Sequence, residues 1–245
     1  MSMPPDLSII LPTLLPNNDH IRCISSIRAA LTNKILYEII IVTPDVVFFD
    51  DLAGHDNLHI FAEDYPGIYG AMNTGIKRAV GRYLYFIGQD DILLPSSVGA
   101  ILQGKENGAE LILANVFWGN NKIFKNHPFI TYLAWINWCH QGIFYNRERF
   151  IKEIGEYPVQ FKAQADHYVN IVFSSTPLLN ITKYHGCIAW YSADGFSTQS
   201  PDLVFRPVFP SLVRKHIGFI SYSCVIVRRV LLDLWRLCQG RVTSK

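Results

Sequence analysis

The sequence lacks a hydrophobic run long enough to cross a membrane: no stretch of about 18 or more apolar residues occurs. The nearest candidate, Phe219–Val227, contains Ser221 and Ser223 and stops at Arg228-Arg229. No basic segment followed by an apolar one opens the chain, so no signal peptide is expected. Cysteine is sparse and odd in number: Cys23, Cys139, Cys187, Cys224 and Cys238, with no CxxC. That argues against a disulfide framework and a zinc site, and it fits a reducing, cytoplasmic compartment. Charge is also scarce, at 17% Asp, Glu, Lys and Arg, against about 25% in typical soluble domains. Missing too are GxxxxGK[ST], GxGxxG after the first strand, GxSxG, HExxH and a kinase set.

What is present is an apolar chain of 245 residues, 49% hydrophobic, with a mean hydropathy of +0.16. That length buries a full core without staples. The net charge of +2 hides an asymmetry. From Arg214 to Lys245, seven Lys/Arg stand against one Asp, a net +6. Residues 1–213 carry 15 Lys/Arg and 19 Asp/Glu, a net −4. A mildly acidic body therefore precedes a basic tail. The tail lacks a recognised nucleic-acid motif, so no nucleic-acid partner is expected.

Short apolar runs alternate with helical patterns. Leu7–Leu11, Tyr37–Val42, Leu58–Phe61 and Tyr83–Ile87 read as buried strands. Asn17 or Asn18 caps a helix to about Leu31, with Ile21, Ile24, Ile27 and Leu31 on one face. Ile68–Val80 reads as a second helix, stopped at Gly81. Leu111–Trp118 and Ile181–Tyr191 are further strand candidates, and Ala163–Phe173 a further helix. This alternation implies an α/β fold with a mostly parallel central sheet and helices on both faces. In such sheets ligands bind beyond the C-terminal strand ends. Here those segments are Pro12–Asn18, Thr43–Asp45, Glu63–Gly67 and Gly88–Asp91.

Three constellations carry candidate chemistry. Asp90 and Asp91 sit side by side at a strand end. Two adjacent carboxylates raise each other's ionisation cost, and a divalent cation removes that penalty. Oxygen ligands suit Mg²⁺ or Mn²⁺, with a diphosphate completing the shell. A solvated turn is the simpler reading of the same residues. Gly67–Ala79 is a helix with small residues and an N-terminus that suits an anion; an ordinary packed helix explains it as well. The third set is His140-Gln141, Asp166-His167, and Asp194 with Ser197. An Asp early on a helix can serve as general base to a hydroxyl, or can simply complement the helix dipole.

Taken in order, LSIILPT (Leu7–Thr13), YEIIIV (Tyr37–Val42), GIYGAMNTGIKRAVGRYLYFIGQDDIL (Gly67–Leu93), HQGIFYNRERF (His140–Phe150), KAQADHYV (Lys162–Val169) and DGFST (Asp194–Thr198) resemble family 2 glycosyltransferases of the GT-A fold. The later blocks resemble the bacterial exopolysaccharide and lipopolysaccharide branch, including colanic-acid-type enzymes. The resemblance implies a Rossmann-like GT-A domain over residues 1–213, with a basic amphipathic C-terminal helix over 214–245. It implies that Pro12, Thr13, Asp45, Asn73, Gly75, Gln89 and Asp90 border a nucleotide-diphosphate sugar. Asp90, with Asp91 beside it, matches the DxD-like metal motif for Mn²⁺ or Mg²⁺. Asp166 matches the general base of an inverting transfer. His140 and Gln141 fall on the side of the saccharide acceptor, which is often lipid-linked.

The chain departs from the family pattern on the donor side. Gly88 takes the first DxD position, Thr43-Pro44-Asp45-Val46 replaces an acidic, Gly/Ser-rich loop, and Tyr65-Pro66-Gly67-Ile68-Tyr69-Gly70 stands where relatives often read Asp-x-Gly-Ile-Tyr-Asp. These changes leave a second reading, a non-catalytic sugar-nucleotide-binding or scaffold protein of a polysaccharide assembly complex. A nucleotidylyltransferase is disfavoured, because Pro12–Asn18 contains no Lys or Arg. In the tail, Ile217, Ile220, Cys224, Val227, Leu231, Leu234 and Cys238 recur at helical spacing among arginines. Such a helix suits either an anionic membrane surface or docking on the acidic body. The expected location is cytoplasmic, and peripheral on the inner face of the cytoplasmic membrane if the tail binds there.

Overall fold

The computed structural model describes residues 4–15, 17–31, 34–47, 49, 57–119, 122–192 and 202–235, with 236–242 as helical backbone. Asp194 and Ser197 lie outside the described residues, as does the side chain of Cys238. The apolar runs form β1 (Leu7–Pro12), β2 (Tyr37–Thr43), β3 (Leu58–Ala62) and β4 (Tyr83–Phe86). These four pair in parallel, in the order β3-β2-β1-β4. The sheet then continues through β8 (Ile143–Asn146), β6 (Leu111–Trp118), β9 (Ile181–Tyr191) and β5 (Ile92–Leu93). β7 (Lys122–Lys125) pairs with β6 from outside that path. β8 runs antiparallel to both β4 and β6, whereas β6 and β9 are parallel. The first half is thus the expected parallel sheet, and the second half is mixed.

Strand alternation sends neighbouring residues to opposite faces. Leu7, Ile9, Leu11, Ile39 and Ile41 pack on one face with α1 (Asn18–Leu31) and α3 (Ser97–Glu106). Ile10, Ile40, Val42, Leu84 and Phe86 pack on the other with α2 (Ile68–Arg78) and α5 (Ala165–Ser174). Because both faces are covered, nearly every residue of β1, β2 and β4 is buried. Each such Ile or Leu contributes about 1.5–3 kcal/mol relative to exposure.

Local chemistry sets the helix ends. Asn17 Oδ1 accepts from the N–H groups of Asp19 and His20, at 2.9 and 3.1 Å, which fixes the start of α1. The buried stripe of α1 is His20, Cys23, Ile24, Ile27 and Leu31. Ile21, expected on the inner face, is 54% exposed, because Cys23 and Ile27 set the centre of that stripe. α2 ends at Arg78, sooner than expected, since Ala79 turns to an extended conformation. Asp202 is 6% exposed. One of its oxygens accepts from the N–H groups of Val204 and Phe205 and starts α6 (Phe205–His216). The other accepts from Ala163 and Gln164, immediately before α5. One carboxylate therefore ties together the starts of two helices.

The tail is not one helix from residue 214. The charge boundary falls inside α6, and the chain breaks at Gly218, whose φ is +122°, before α7 (Phe219–Val242). α7 meets the body through Val225, which packs with Ala134 and Val213. No helix among the described residues is long and apolar enough to cross a membrane.

Candidate active site

The central strands β1, β2 and β4 end together, and the sequence-predicted donor residues follow those ends. Thr13 is buried, and its N–H donates to Val42 O at 2.9 Å, so the loop leaves β1 in register with β2. Pro12 is half-buried beside it. Asp45 is exposed, and its Oδ1 accepts from the Val47 N–H at 3.1 Å.

The two carboxylates after β4 do different work. Asp91 is 1% exposed. Its Oδ2 accepts from Gln141 Nε2 at 2.7 Å and from the Gly88 N–H at 3.1 Å, while its Oδ1 accepts from the Ser192 N–H at 3.0 Å. Burial, and next the Asp90 charge, push the Asp91 carboxyl up to about 6. Asp91 is thus a buried tie between the ends of β4 and β9, with both oxygens already engaged. Asp90 is half-buried, and no side-chain hydrogen bond holds its carboxylate among the described residues. The preceding residue, Gln89, has its Oε1 buried with no partner among the described residues. A Cβ on Gly88 would come within 2.9 Å of both Asp90 Oδ1 and Asp91 Oδ2. Glycine at the first motif position therefore lets the two carboxylates share this turn.

Among the described residues, no three His, Cys, Asp or Glu side chains converge to cage a metal by themselves. Asp90, a half-buried carboxylate with no hydrogen bond from the described residues, fits a Mg²⁺-type ion that takes its other ligands from phosphates and water.

The acceptor-side residues converge on Asp166, in the first turn of α5. Its Oδ1 accepts from Tyr69 Oη at 3.1 Å, and its Oδ2 accepts from Asn137 Nδ2 at 2.7 Å. His140 Nδ1 lies 3.8 Å from Oδ2. Burial pushes the Asp166 carboxyl up, but His140 and His167 more than offset it and hold the group below its ordinary value. Asn137 is fixed in turn, because its Oδ1 accepts from Asn170 Nδ2 at 2.8 Å, and Asn170 Oδ1 accepts from Tyr145 Oη at 2.5 Å. Tyr69 and Asn137 were not foreseen from sequence. Tyr69 stands in the GIYG block and Asn137 just before Trp138-Cys139-His140, yet a lone Tyr or Asn carries no spacing signal.

His140 and Gln141 share one 3-10 turn, His140–Gly142. Gln141 turns inward to Asp91 and is 3% exposed, so it is a buried positioning group and does not face an acceptor. Its neighbour His140 reaches toward Asp166. The turn thus joins the strand-end carboxylates to the helix carboxylate.

Two donor-side expectations change. Asn73 is 3% exposed and clamps the main chain of Tyr157, with Nδ2 donating to its carbonyl at 2.9 Å and Oδ1 accepting from its N–H at 2.7 Å. Its amide has no free end to offer a donor. Gly75 packs on Ile10, where a Cβ would fall 2.5 Å from Cγ2. Both hold α2 in place. Gly70 has a similar cause: a Cβ there would fall 2.1 Å from the carbonyl oxygen of Tyr65, so the loop before α2 lies directly on the helix. Asp64, at the start of that loop, is exposed and pairs with Lys77 at 3.5 Å.

The model of glycosyl transferase family 2 matches residues 8–167. PGL/p-HBAD biosynthesis glycosyltransferases of Mycobacterium bovis and Mycobacterium tuberculosis are 30% identical over 92% of this chain and 91% of theirs. Among solved structures, S. aureus TarS 1-349 in complex with UDP-GlcNAc superposes with a TM-score of 0.70 at 14% identity. That likeness covers 85% of this chain and 64% of the other. The mannosyltransferase PcManGT from Pyrobaculum calidifontis, in complex with GDP-Man and Mn²⁺, gives 0.58 at 12% identity, over 93% of this chain and 65% of that one. The solved structures establish the shared fold, and the family model and the mycobacterial relatives place this chain, a glycosyltransferase, in glycosyl transferase family 2.

Proposed function

We propose that the protein transfers a sugar, with inversion, from a nucleotide-diphosphate sugar to a hydroxyl of a lipid-linked saccharide acceptor in bacterial surface polysaccharide assembly. The observation that carries this reading is the pairing of an untied Asp90 at the end of β4 with a fixed Asp166 on α5, joined through the His140-Gln141 turn. Pro12, Thr13 and Asp45 border the donor across the strand ends. Asp90 would hold Mg²⁺ or Mn²⁺. When bound, the metal stabilises negative charge on the departing diphosphate.

Asp166 accepts the proton of the acceptor hydroxyl as that oxygen forms its bond to the anomeric carbon. The bond from that carbon to the diphosphate oxygen breaks, and its electron pair leaves with the diphosphate. Attack from the face opposite the leaving group inverts the centre. The depressed pKa keeps Asp166 ionised at neutral pH and ready to accept a hydrogen bond. Tyr69 and Asn137 hold the carboxylate from both sides, so it does not swing away from the acceptor.

The basic tail supports contact with an anionic membrane. Arg214, Lys215 and Arg228 are exposed on the last two helices, and Ile220, Val227, Leu231, Leu234 and Trp235 are more than half exposed on α7. Each cation contributes about 1 kcal/mol near such a surface. Replacing Arg214, Lys215 and Arg228 by Glu abolishes co-sedimentation with phosphatidylglycerol vesicles; unchanged sedimentation refutes this role.

The donor test is a thermal-shift screen of UDP-, GDP-, dTDP- and CMP-sugars with and without Mn²⁺, since a ligand of the native state raises its stability. UDP- and GDP-sugars come first, because the solved relatives bind UDP-GlcNAc and GDP-Man. With the donor identified, Asp90→Ala loses the metal-dependent shift, and Asp166→Ala keeps the shift but loses transfer. Near-wild-type transfer by both variants sinks the assignment.

A further inference from the structure

Two amides stand between the Asp166 carboxylate and a tyrosine of the central sheet. Asn170 follows Asp166 by four residues on α5, so the two side chains share one face of the helix. Asn137 spans them: its Nδ2 donates to Asp166 Oδ2 at 2.7 Å, and its Oδ1 accepts from Asn170 Nδ2 at 2.8 Å. Asn170 Oδ1 accepts in turn from Tyr145 Oη at 2.5 Å. Asn170 and Tyr145 are both 0% exposed, so water does not replace a bond lost between them. Phe86, Phe150 and Phe173 meet the Tyr145 ring edge-on, at 6.1, 5.3 and 5.4 Å between centroids. These rings fix where the hydroxyl points.

The row of hydrogen bonds runs in one direction. An ionised carboxylate accepts and cannot donate, whereas an amide donates at one end and accepts at the other. An amide oxygen turned toward Asp166 would meet it lone pair to lone pair. Donation by Asn137 therefore requires donation by Asn170, and that requires a donor at the far end. Tyr145 supplies it.

We infer that Tyr145 and Asn170 are positioning residues for the transfer: the Tyr145 hydroxyl sets the direction of both amides and thereby holds the Asn137 N–H toward Asp166. The inference rests on the reading of Asp166 as the base, and it adds the residues that keep the base in its accepting form.

With the hydroxyl gone, both amides can turn, and the turned form pairs with Asp166 only when that carboxyl is protonated. Asp166 then becomes easier to protonate. A bond of this kind biases an equilibrium by about two- to tenfold, so the titration of Asp166 rises by about 0.3–1 pH unit. The other titratable groups facing Asp166 are Tyr69 on α2, Cys139, His140 and His167, with Tyr145 and Tyr157 farther in. Burial keeps the tyrosines and the thiol protonated and lowers His167. His140 is unaltered in the variants below, so its charge cancels between them.

Carbon-13 NMR of the full chain, labelled at its Asp carboxyls, follows Asp166 from pH 7 downward, and Asp166→Asn identifies the signal. Tyr145→Phe, which deletes one oxygen, and Asn170→Leu, of similar shape, both raise the titration. Tyr83→Phe is the control. It removes the hydroxyl of another 0%-exposed tyrosine, one that donates to Ala109 O at 2.9 Å, and it leaves Asp166 where it is. With the donor supplied, the acidic limb of kcat moves up with the titration in the first two variants, while the donor KM holds. No rise in either variant, or an equal rise in Tyr83→Phe, overturns the inference. A rise in the titration with no matching move of kcat overturns Asp166 as the base, and leaves the direction of the amides standing.

Discussion

Removing the Asp202 carboxylate should loosen the protein at a defined place. In the native state its two oxygens accept four main-chain N–H groups, two starting α6 and two immediately before α5. Losing a helix cap costs about 0.5–2 kcal/mol. The N–H groups of Ala163 and Gln164 also lose a charged acceptor, and such bonds contribute about 1.5–3 kcal/mol each. Those two N–H groups belong to half-buried residues, so water recovers part of that loss. Asp202→Ala should therefore cost about 2–4 kcal/mol, read as a urea midpoint lowered by about 1 M.

The pH dependence gives a second handle on the same group. Burial pushes the Asp202 carboxyl up, but its backbone hydrogen bonds outweigh burial and leave it depressed. A depressed carboxyl contributes fully above its unfolded value of about 3.9, and the contribution drains away as pH falls through the lower folded value. The stability gap between wild type and Asp202→Ala should thus be full at pH 7 and shrink below about pH 4. A gap under about 0.5 kcal/mol at pH 7, or one that stays constant into acid, would refute the reasoning. Because α5 carries Asp166, the variant should also lower kcat while leaving the donor-induced thermal shift in place.

Three further substitutions probe the site. Gln141→Ala strips one of the donors from Asp91 Oδ2, at a cost of about 1.5–3 kcal/mol for a hydrogen bond to a charged group; a urea midpoint equal to wild type contradicts the tie. Gly70→Asp drives a Cβ into the Tyr65 carbonyl. Overpacking of this kind costs about 1–3 kcal/mol, so thermal stability should fall, and a neutral or stabilising result would show that the loop rearranges freely. Asn137→Ala should lower kcat tenfold or more, about 1.4 kcal/mol in the barrier, with the donor KM unchanged; an effect confined to KM would reassign Asn137 to substrate binding.

The parallel half of the fold was legible in the sequence, because strands buried on both faces read as continuous apolar runs such as Tyr37–Val42. The mixed half was less so. β8 and β5 are short, at Ile143–Asn146 and Ile92–Leu93, and their partners β6 and β9 are distant in sequence. Antiparallel insertion of β8 between β4 and β6 leaves no local signature. The break at Gly218 was hidden by an apolar repeat that continues across it from Ile217 to Ile220. At the site, the positions of the carboxylates were readable and their division of labour was not. Asp90 and Asp91 are identical in kind and adjacent, and what separates them is the orientation of a turn whose donors come from residues 88, 141 and 192. Similarly, Asn73 carries an amide suited to a ligand, but its three-dimensional neighbour is the main chain of Tyr157.

These contacts make residues 133–141 the hinge of the chemistry. Leu133 holds His167, Asn137 holds Asp166, His140 faces Asp166, and Gln141 holds Asp91. One short segment therefore touches the acceptor-side helix at three places and the strand-end turn at one. Trp135 of the same segment meets α7. Buried Asn126 fixes the main chain of this segment, since it accepts from the Cys139 N–H and donates to its carbonyl. That anchor lies between Asn137 and Gln141, and Asn137 is held in turn by Asn170 Nδ2 at 2.8 Å, so the segment sets Asp166 and Asp91 together.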